Sequence, residues 1–366
     1  MGHEEAIREA STIAGSPGAT DVIAFLGRWL LFLTLNILVG ATALVWASRL
    51  WARDDTWIQR IVTWLTLVVS LVLGLQLLLG ILGTLTPRAE VVVLLILLVV
   101  SLRTLPKTTA KQVTRYATEG CRRLRIVLRH CVLRRRSPIH VAVLCFLLVL
   151  VIAALAEPAT MYDALAYHMP MVVEWTQNQG LTTFYLPFSD YANSYFPGNG
   201  QLLYLWSFAP LQSDLFINCT RLALWGLLGV AASYTMQELG VAGSLADTLA
   251  LTLMLTPVAL SQALDQSLDV ANAAFLLMSL GHLLRTRRSL AVRHAVLLGL
   301  SMGCALGMKY SGPAHILLLS VSLLFVLCER RRQIPHWRSL ILIGAVVVVG
   351  TVALGGYWYV RNLVVS

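Results

Sequence analysis

Ten apolar runs, most of them about as long as a membrane-spanning helix, constrain this chain more than any other feature. A helix needs about 20 predominantly apolar residues to cross the hydrocarbon core of a bilayer. Only 13% of the 366 residues are charged and the mean hydropathy is +0.74, whereas soluble domains carry about 25% charged residues. We therefore expect an all-α integral membrane protein with about ten transmembrane helices. The runs lie at 23–48, 60–84, 89–105, 139–156, 216–238, 244–264, 270–284, 292–309, 313–328 and 338–358.

The positive charges are concentrated between apolar runs. The stretch 103–136 holds 11 of the 28 Lys and Arg residues, and smaller basic clusters lie at 49–60, 285–293 and 330–332. Connections rich in Lys and Arg face the cytoplasm, and ten alternating helices place all four clusters on that side. This placement accounts for the net charge of +10 without a nucleic-acid partner. It also predicts that both ends of the chain lie outside.

The longest outer connection is the extracytoplasmic loop 157–214. It contains no Lys or Arg, and it combines five acidic residues with many aromatic ones, a composition typical of helices that lie in the membrane interface. The chain therefore divides into two parts. Residues 1–138 form three N-terminal transmembrane helices and a basic cytoplasmic connector, and residues 139–366 form a transmembrane core that carries the loop.

Asp163 begins the segment with the most informative chemistry. A helix would place Asp163 and Tyr167 on one face because they are four residues apart, and His168 is adjacent. Desolvation raises the pKa of a carboxylate that lies among aromatic side chains without a nearby cation, and a general base requires such tuning. The alternative is a solvated Asp163 that caps a helix, and the sequence leaves both interpretations open.

Two further carboxylates, Asp265 and Asp269, lie near the outer end of the sixth run. Ionisable groups at this depth usually face a cavity, which favours substrate binding. The alternative is that Asp265 caps the next helix while Asp269 occupies its first turn, where the helix dipole stabilises an anion. The polar, turn-rich segment 191–200 is likewise either a simple loop or part of an acceptor pocket.

Two cations lie at the outer ends of helices, against the positive-inside trend. Lys309 precedes Tyr310 at the end of the eighth run, and Arg361 follows the aromatic stretch 357–359 at the end of the tenth. One interpretation is phosphate binding, by a point charge at Lys309 and by a bidentate fork at Arg361. The other is that both side chains extend to lipid headgroups.

The order of these features resembles that of the C-type membrane glycosyltransferases, a superfamily that uses polyprenyl-phosphate-linked sugars. It includes the protein O-mannosyltransferases and the lipid A aminoarabinose transferase. The resemblance covers roughly 139–366. It is carried by Asp163-Ala164-Leu165-Ala166-Tyr167-His168-Met169-Pro170 with the following Trp175, and then, in the same order, by the stretches 269–275, 307–310 and 358–362.

The resemblance implies an inverting membrane glycosyltransferase of the bacterial inner membrane, with its active site facing the periplasm. Its partners would be a polyprenyl-phosphate-linked sugar, a glycan, lipid or protein acceptor, and membrane lipid. No cofactor is demanded, although a divalent metal could bind if Asp163 and Asp269 meet. Asp163 would be the catalytic base, and the substrate-binding residues would be Tyr167, His168, Asp265, Asp269, Lys309, Tyr310 and Arg361.

Two departures from the family pattern keep other functions open. Four helices, three of them extra, precede the catalytic loop where many members have one, and the sequence stops at Ser366 where related chains continue. A truncated, non-catalytic membrane subunit is therefore one alternative. The other is a transporter, or flippase, for a lipid-linked sugar, which predicts inverted repeats and broken helices near the bilayer midplane.

Overall fold

The computed structural model is built from α-helices, and the part of the chain that it describes contains no β-strand. The fourth apolar run, 139–156, and the basic block of the connector lie largely outside the described residues. Asp265 also lies outside them. The structure describes residues 19–106, 118, 122, 145–146, 148–153, 161–186, 190–263, 267–331 and 337–365.

Every apolar run within the described residues coincides with a helix or with a bent helix pair. A π-helical turn, Ala164–His168, and two 3₁₀ turns, Tyr191–Tyr195 and Asp214–Phe216, lie in the outer loop. The helices are α1 (Ala19–Leu50), α2 (Trp57–Ile81), α3 (Pro87–Arg103), α4 (Met169–Asn178), α5 (Asn199–Leu211), α6 (Ile217–Glu238), α7 (Gly243–Met254), α8 (Pro257–Ala263), α9 (Asp269–Arg288), α10 (Val292–Leu306), α11 (Gly312–Arg330) and α12 (Trp337–Val365).

Four of these helices are long and apolar enough to cross a membrane. They are α1 (over Val22–Leu50), α2, α11 and α12, and the pair α7 and α8, bent by 68°, would make a fifth if it forms one span. The surfaces of α11 and α12 expose large apolar side chains, including Phe325 (72% exposed) and Val349 (68% exposed). These features are consistent with an all-α membrane protein.

Local sequence signals set the starts of α2 and α3. Thr56 and Gln59 form a reciprocal capping box at the start of α2, which satisfies two backbone N–H groups that the helix cannot pair itself. Thr86 accepts from the backbone N–H of Ala89, and Pro87 occupies the first turn of α3, where its missing N–H costs nothing.

Glycines bring α10 and α12 into close contact. An added Cβ on Gly303 would lie 2.7 Å from the carbonyl oxygen of Gly350, and one on Gly299 would lie 2.7 Å from that of Val347. Small residues at four-residue spacing let helix backbones approach in membranes, and Gly299, Gly303 and Gly307 have this spacing. The packing places the outer ends of both helices, with Lys309 and Arg361, side by side.

Charged side chains cluster at the opposite, predicted cytoplasmic end. Arg285 near the end of α9 forms a buried ion pair with Asp55, which lies just before α2. Glu238 at the end of α6 binds Arg288 and accepts a hydrogen bond of 2.7 Å from Gln59. Buried ions require such partners because desolvation is costly, and these contacts hold the inner ends of α2, α6 and α9 together.

The outer loop is attached to the turn between α2 and α3. The backbone N–H of Leu85 donates to the carbonyl oxygen of Gln179 (2.9 Å), and that of Leu181 donates to Gly80 (3.2 Å). Trp175 of α4 is fully buried and donates from its indole N–H to Thr182 (2.9 Å). Helix α4 is therefore fixed on the end of the bundle that the sequence predicts to be the outer one.

Candidate functional site

Most of the residues that the sequence analysis selected lie at the outer end of the bundle. The π-helical turn supplies Tyr167 and His168, with Asp163 immediately before it. The start of α9 supplies Asp269, the turn after α10 supplies Lys309 and Tyr310, and the last turns of α12 supply Arg361. Hydrogen bonds, ring contacts and electrostatic interactions connect these segments, which are far apart in sequence.

Asp163 and Tyr167 face each other across one turn. Asp163 is exposed, which agrees with the solvated alternative and not with a desolvated carboxylate. Burial of Tyr167, followed by the effect of the nearby Asp163 carboxylate, raises the pKa of the tyrosine hydroxyl. Tyr167 therefore remains a protonated neighbour of Asp163, whose exposed side stays open to an acceptor. π-Helical turns often occur at functional sites.

His168 is held through Gln201, a residue at the start of α5. Gln201 Nε2 lies 2.9 Å from His168 Nδ1 and 3.8 Å from Met171 Sδ, whereas Gln201 Oε1 is buried without a partner. If the Gln201 amide were rotated by 180°, its oxygen would face His168 and its N–H groups would lack an acceptor. Buried N–H groups without an acceptor are rarer than carbonyl oxygens without a donor. Gln201 therefore donates to Nδ1, which leaves the proton of His168 on Nε2.

The imidazole of His168 is neutral over the physiological range. Its side chain is only 3% exposed. Burial, followed by the charge of Lys309, lowers the pKa of His168 to about 3, although Asp269 acts in the opposite direction. Nε2–H is thus a fixed neutral hydrogen-bond donor, and His168 interacts with both Asp269 and Lys309.

Lys309 and Asp269 form an ion pair across the ends of α10 and α9. The Ser267 hydroxyl donates a second hydrogen bond to Asp269, 3.1 Å long. Partial burial of Asp269 disfavours its charge, but the hydrogen bond and charge of Lys309 outweigh this effect and lower the pKa of the carboxyl group. The anion paired with Lys309 in this structure is therefore a carboxylate of the protein, Asp269.

Arg361 is a buried cation at the end of α12. Its Nη2 donates to the carbonyl oxygen of Ser194 (3.0 Å), and its Nε donates to Asn362 Oδ1 (3.1 Å). Its guanidinium carbon lies 5.0 Å from the ring centroid of Trp358. Nη1 is buried without a hydrogen-bond partner, and no described residue forms an ion pair with Arg361, which is 7% exposed.

An aromatic chain joins these groups into one surface. Phe196 contacts Tyr167 and Tyr310 edge-to-face, at centroid distances of 5.8 and 5.2 Å. The Tyr310 hydroxyl donates to the carbonyl oxygen of Tyr195 (2.8 Å) and accepts from the amide of Asn362 (3.2 Å). The segment 191–200 thus connects the π-helical turn to α10 and α12.

Two amides fix this geometry: Gln201, which sequence reasoning missed, and Asn199, which it left within 191–200 as part of either a simple loop or an acceptor pocket. Asn199 is fully buried, its backbone N–H donates to Gly307, and its Oδ1 accepts from the indole N–H of Trp358 (2.8 Å). Gln201 orients His168 as described above. A polar residue such as Gln201 within the otherwise apolar helix α5 is the signal that could have identified it.

The divalent metal that Asp163 and Asp269 could bind has no matching group of ligands among the described residues. Within the described ranges no three His, Cys, Asp or Glu side chains gather as a group that could hold a metal ion. Comparison with known proteins adds no assignment: no family model, curated protein or solved structure matches the chain.

Proposed function

We propose that this protein is a membrane glycosyltransferase that moves a sugar from a polyprenyl-phosphate donor to an acceptor hydroxyl on the extracytoplasmic face. The observation that carries the proposal is the buried guanidinium of Arg361, with Nη1 unpaired and no acidic partner among the described residues. A buried charge is costly unless an opposite charge compensates it. An anionic group such as a phosphate would supply that compensation.

Asp163 would act as the general base. It would accept the proton of the acceptor hydroxyl while the acceptor oxygen attacks the anomeric carbon of the sugar. The bond between that carbon and the phosphate oxygen would break, and the configuration would invert. Arg361 and Lys309 would stabilise the charge that develops on the departing phosphate, an electrostatic contribution that often dominates catalysis. Nε2–H of His168 would donate a neutral hydrogen bond to the same group.

The remaining substrate contacts follow from the same surface. Tyr167 would donate a hydrogen bond to Asp163, and Asp269 would orient Lys309. Tyr310, 48% exposed, would offer an aromatic edge to the sugar. A divalent metal is not required in this scheme.

The proposal includes the membrane arrangement. The helices α3, α6, α9 and α10, which are shorter or less apolar than the four above, would complete the set of about ten spans together with the predicted span 139–156. The bundle would lie in a bacterial inner membrane, with the ion pairs Arg285–Asp55 and Arg288–Glu238 at the cytoplasmic end. The candidate site would then face the periplasm, where a lipid-linked donor presents its sugar.

The test uses the purified full-length chain in lipid nanodiscs. Tritiated polyprenyl-phosphate-mannose is supplied first, followed by the glucose and aminoarabinose donors. Two readouts are measured: transfer to an extracted cell-envelope acceptor, and release of free sugar by hydrolysis. Asp163→Asn is expected to abolish both while leaving donor binding intact. Asp214→Asn is the matched control, since Asp214 is another exposed carboxylate of the same loop.

Each outcome distinguishes one interpretation. Near-normal turnover by Asp163→Asn would remove the base assignment. Donor translocation in vesicles without turnover would support the transporter instead. Absence of donor binding, turnover and translocation would refute the enzyme and favour the non-catalytic subunit. Arg361→Met is expected to weaken donor binding at least 10-fold, and unchanged binding would refute the phosphate role of Arg361.

A further inference from the structure

A buried carboxyl–amide pair lies beneath the turn between α2 and α3, away from the candidate site. Glu90 is in the first turns of α3 and is 1% exposed, and Gln76 is on α2 and is fully buried. Gln76 Nε2 donates to Glu90 Oε1 over 3.3 Å. The pair is about one turn below the helix ends, because each helical residue rises 1.5 Å.

Two oxygen atoms of this pair have no hydrogen-bond donor within the described part of the chain. Both Glu90 Oε2 and Gln76 Oε1 are buried without a partner. A buried carboxylate with one unpaired oxygen beside an unpaired amide oxygen would place two electron-rich atoms in an apolar environment without compensation, which is costly. A single donor hydrogen between the two groups would satisfy both atoms.

The charged groups of the helices packed against α3 do not supply that donor. On α1, Arg28 is exposed and Arg49 donates to Ser101 at the far end of α3. On α2, Arg60 lies at the inner end, where it donates to Arg53. On α3 itself, Arg88 and Arg103 are exposed.

We propose that Glu90 is a proton-binding site: its carboxyl group is held as the neutral acid, and its O–H donates to Gln76 Oε1 while the Gln76 amide donates to the other carboxyl oxygen. The two hydrogen bonds close a ring and leave no polar atom of the pair unpaired. The ring ties α3 to α2 beneath the turn that receives Gln179 and Leu181 of the outer loop. Loss of the proton would open the ring and loosen the support of that loop.

Infrared spectroscopy of the full-length chain in lipid nanodiscs tests this assignment at neutral pH. The difference spectrum between the parent protein and Glu90→Gln is expected to show loss of a carboxylic-acid carbonyl band. Glu174→Gln is the matched control, because Glu174 also accepts from an amide, Asn178, but at the surface (2.6 Å). This variant is expected to lose a carboxylate band and no acid band.

A second variant keeps the test independent of the folding of Glu90→Gln. Gln76→Leu retains the carboxyl group but removes its amide partner, so the acid band is expected to persist and to move to higher frequency. The proposal would be overturned if Glu90→Gln lost a carboxylate band. It would also be overturned if Gln76→Leu left the frequency of the acid band unchanged. A metal cation at this site would give a different result: sodium chloride, but not choline chloride, would raise the unfolding temperature of the parent protein and would not raise that of Glu90→Gln. That result would refute the assignment of Glu90 as a proton-binding site.

Discussion

Replacement of Asn199 by Ala is expected to destabilise the outer end of the bundle by about 2–4 kcal/mol. Asn199 Nδ2 lies 3.1–3.4 Å from the carbonyl oxygens of Gly303, Cys304 and Leu354, and Oδ1 accepts from Trp358 over 2.8 Å. The substitution leaves the buried indole N–H without a partner, which costs about 1–3 kcal/mol. Loss of the amide contacts adds about 1 kcal/mol, since the carbonyl oxygen of Gly303 still accepts from the backbone N–H of Gly307.

A double-mutant cycle separates this hydrogen bond from general packing losses. The variants are Asn199→Ala, Trp358→Phe and the double substitution, and the free energy of unfolding is measured by denaturant titration in mixed micelles. Removal of both partners leaves no orphaned donor, so the double variant is expected to be less destabilised than the sum of the single variants by at least about 1 kcal/mol. Strictly additive effects would refute the reasoning.

Three further predictions concern the site and its support. Gly303→Leu is expected to force α10 and α12 apart and to lower the unfolding temperature. The control Gly344→Leu, whose added Cβ meets nothing within 4 Å, is expected to leave the unfolding temperature unchanged. Equal effects of the two variants would contradict the close packing of α10 on α12. Lys309→Met is expected to cost about 0–1 kcal/mol of stability, because its ion pair is partly exposed. The same variant is expected to lower the transfer rate about 10²–10³-fold. A stability loss that parallels the activity loss would indicate a structural role for Lys309. Donor binding is expected to show no step between pH 5 and 8, because the pKa of His168 is about 3. Gln201→Glu would introduce a step by raising that pKa, and a step in the parent protein that His168→Gln abolishes would refute the neutral imidazole.

The helices were predictable because long apolar runs permit few alternatives in a membrane. The runs at 60–84, 313–328 and 338–358 match α2, α11 and α12 within a few residues, except that α12 continues past its run to Val365. The run at 244–264 is one segment in sequence but bends by 68° between Met254 and Pro257. The proline could have indicated the break, because it cannot continue the hydrogen-bond ladder of a preceding helix.

The site was predictable only as a set of residue types. The ion pair joins Lys309 to Asp269, two residues that are 40 positions apart in the sequence. No rule of sequence spacing predicts that they meet. The same holds for Gln201 and His168, 33 residues apart. The first contact depends on how α9 packs on α10, and the second on how α5 packs on the π-helical turn. Neither packing has a chemical signature in the sequence.

The charge balance of the site predicts which class of lipid donor binds. Lys309 is neutralised by Asp269, and Asp163 is exposed and available to the acceptor. Arg361 remains as a buried cation without an acidic partner in the described part of the chain. A polyprenyl-phosphate sugar is a phosphodiester with one negative charge, which balances this single guanidinium. A diphosphate-linked donor brings a second charge in the ground state, which Lys309 would compensate only by giving up its ion pair with Asp269. Competition binding is therefore expected to favour the monophosphate donor at least 10-fold. Equal or tighter binding of the diphosphate would show that Lys309 leaves Asp269 when substrate binds.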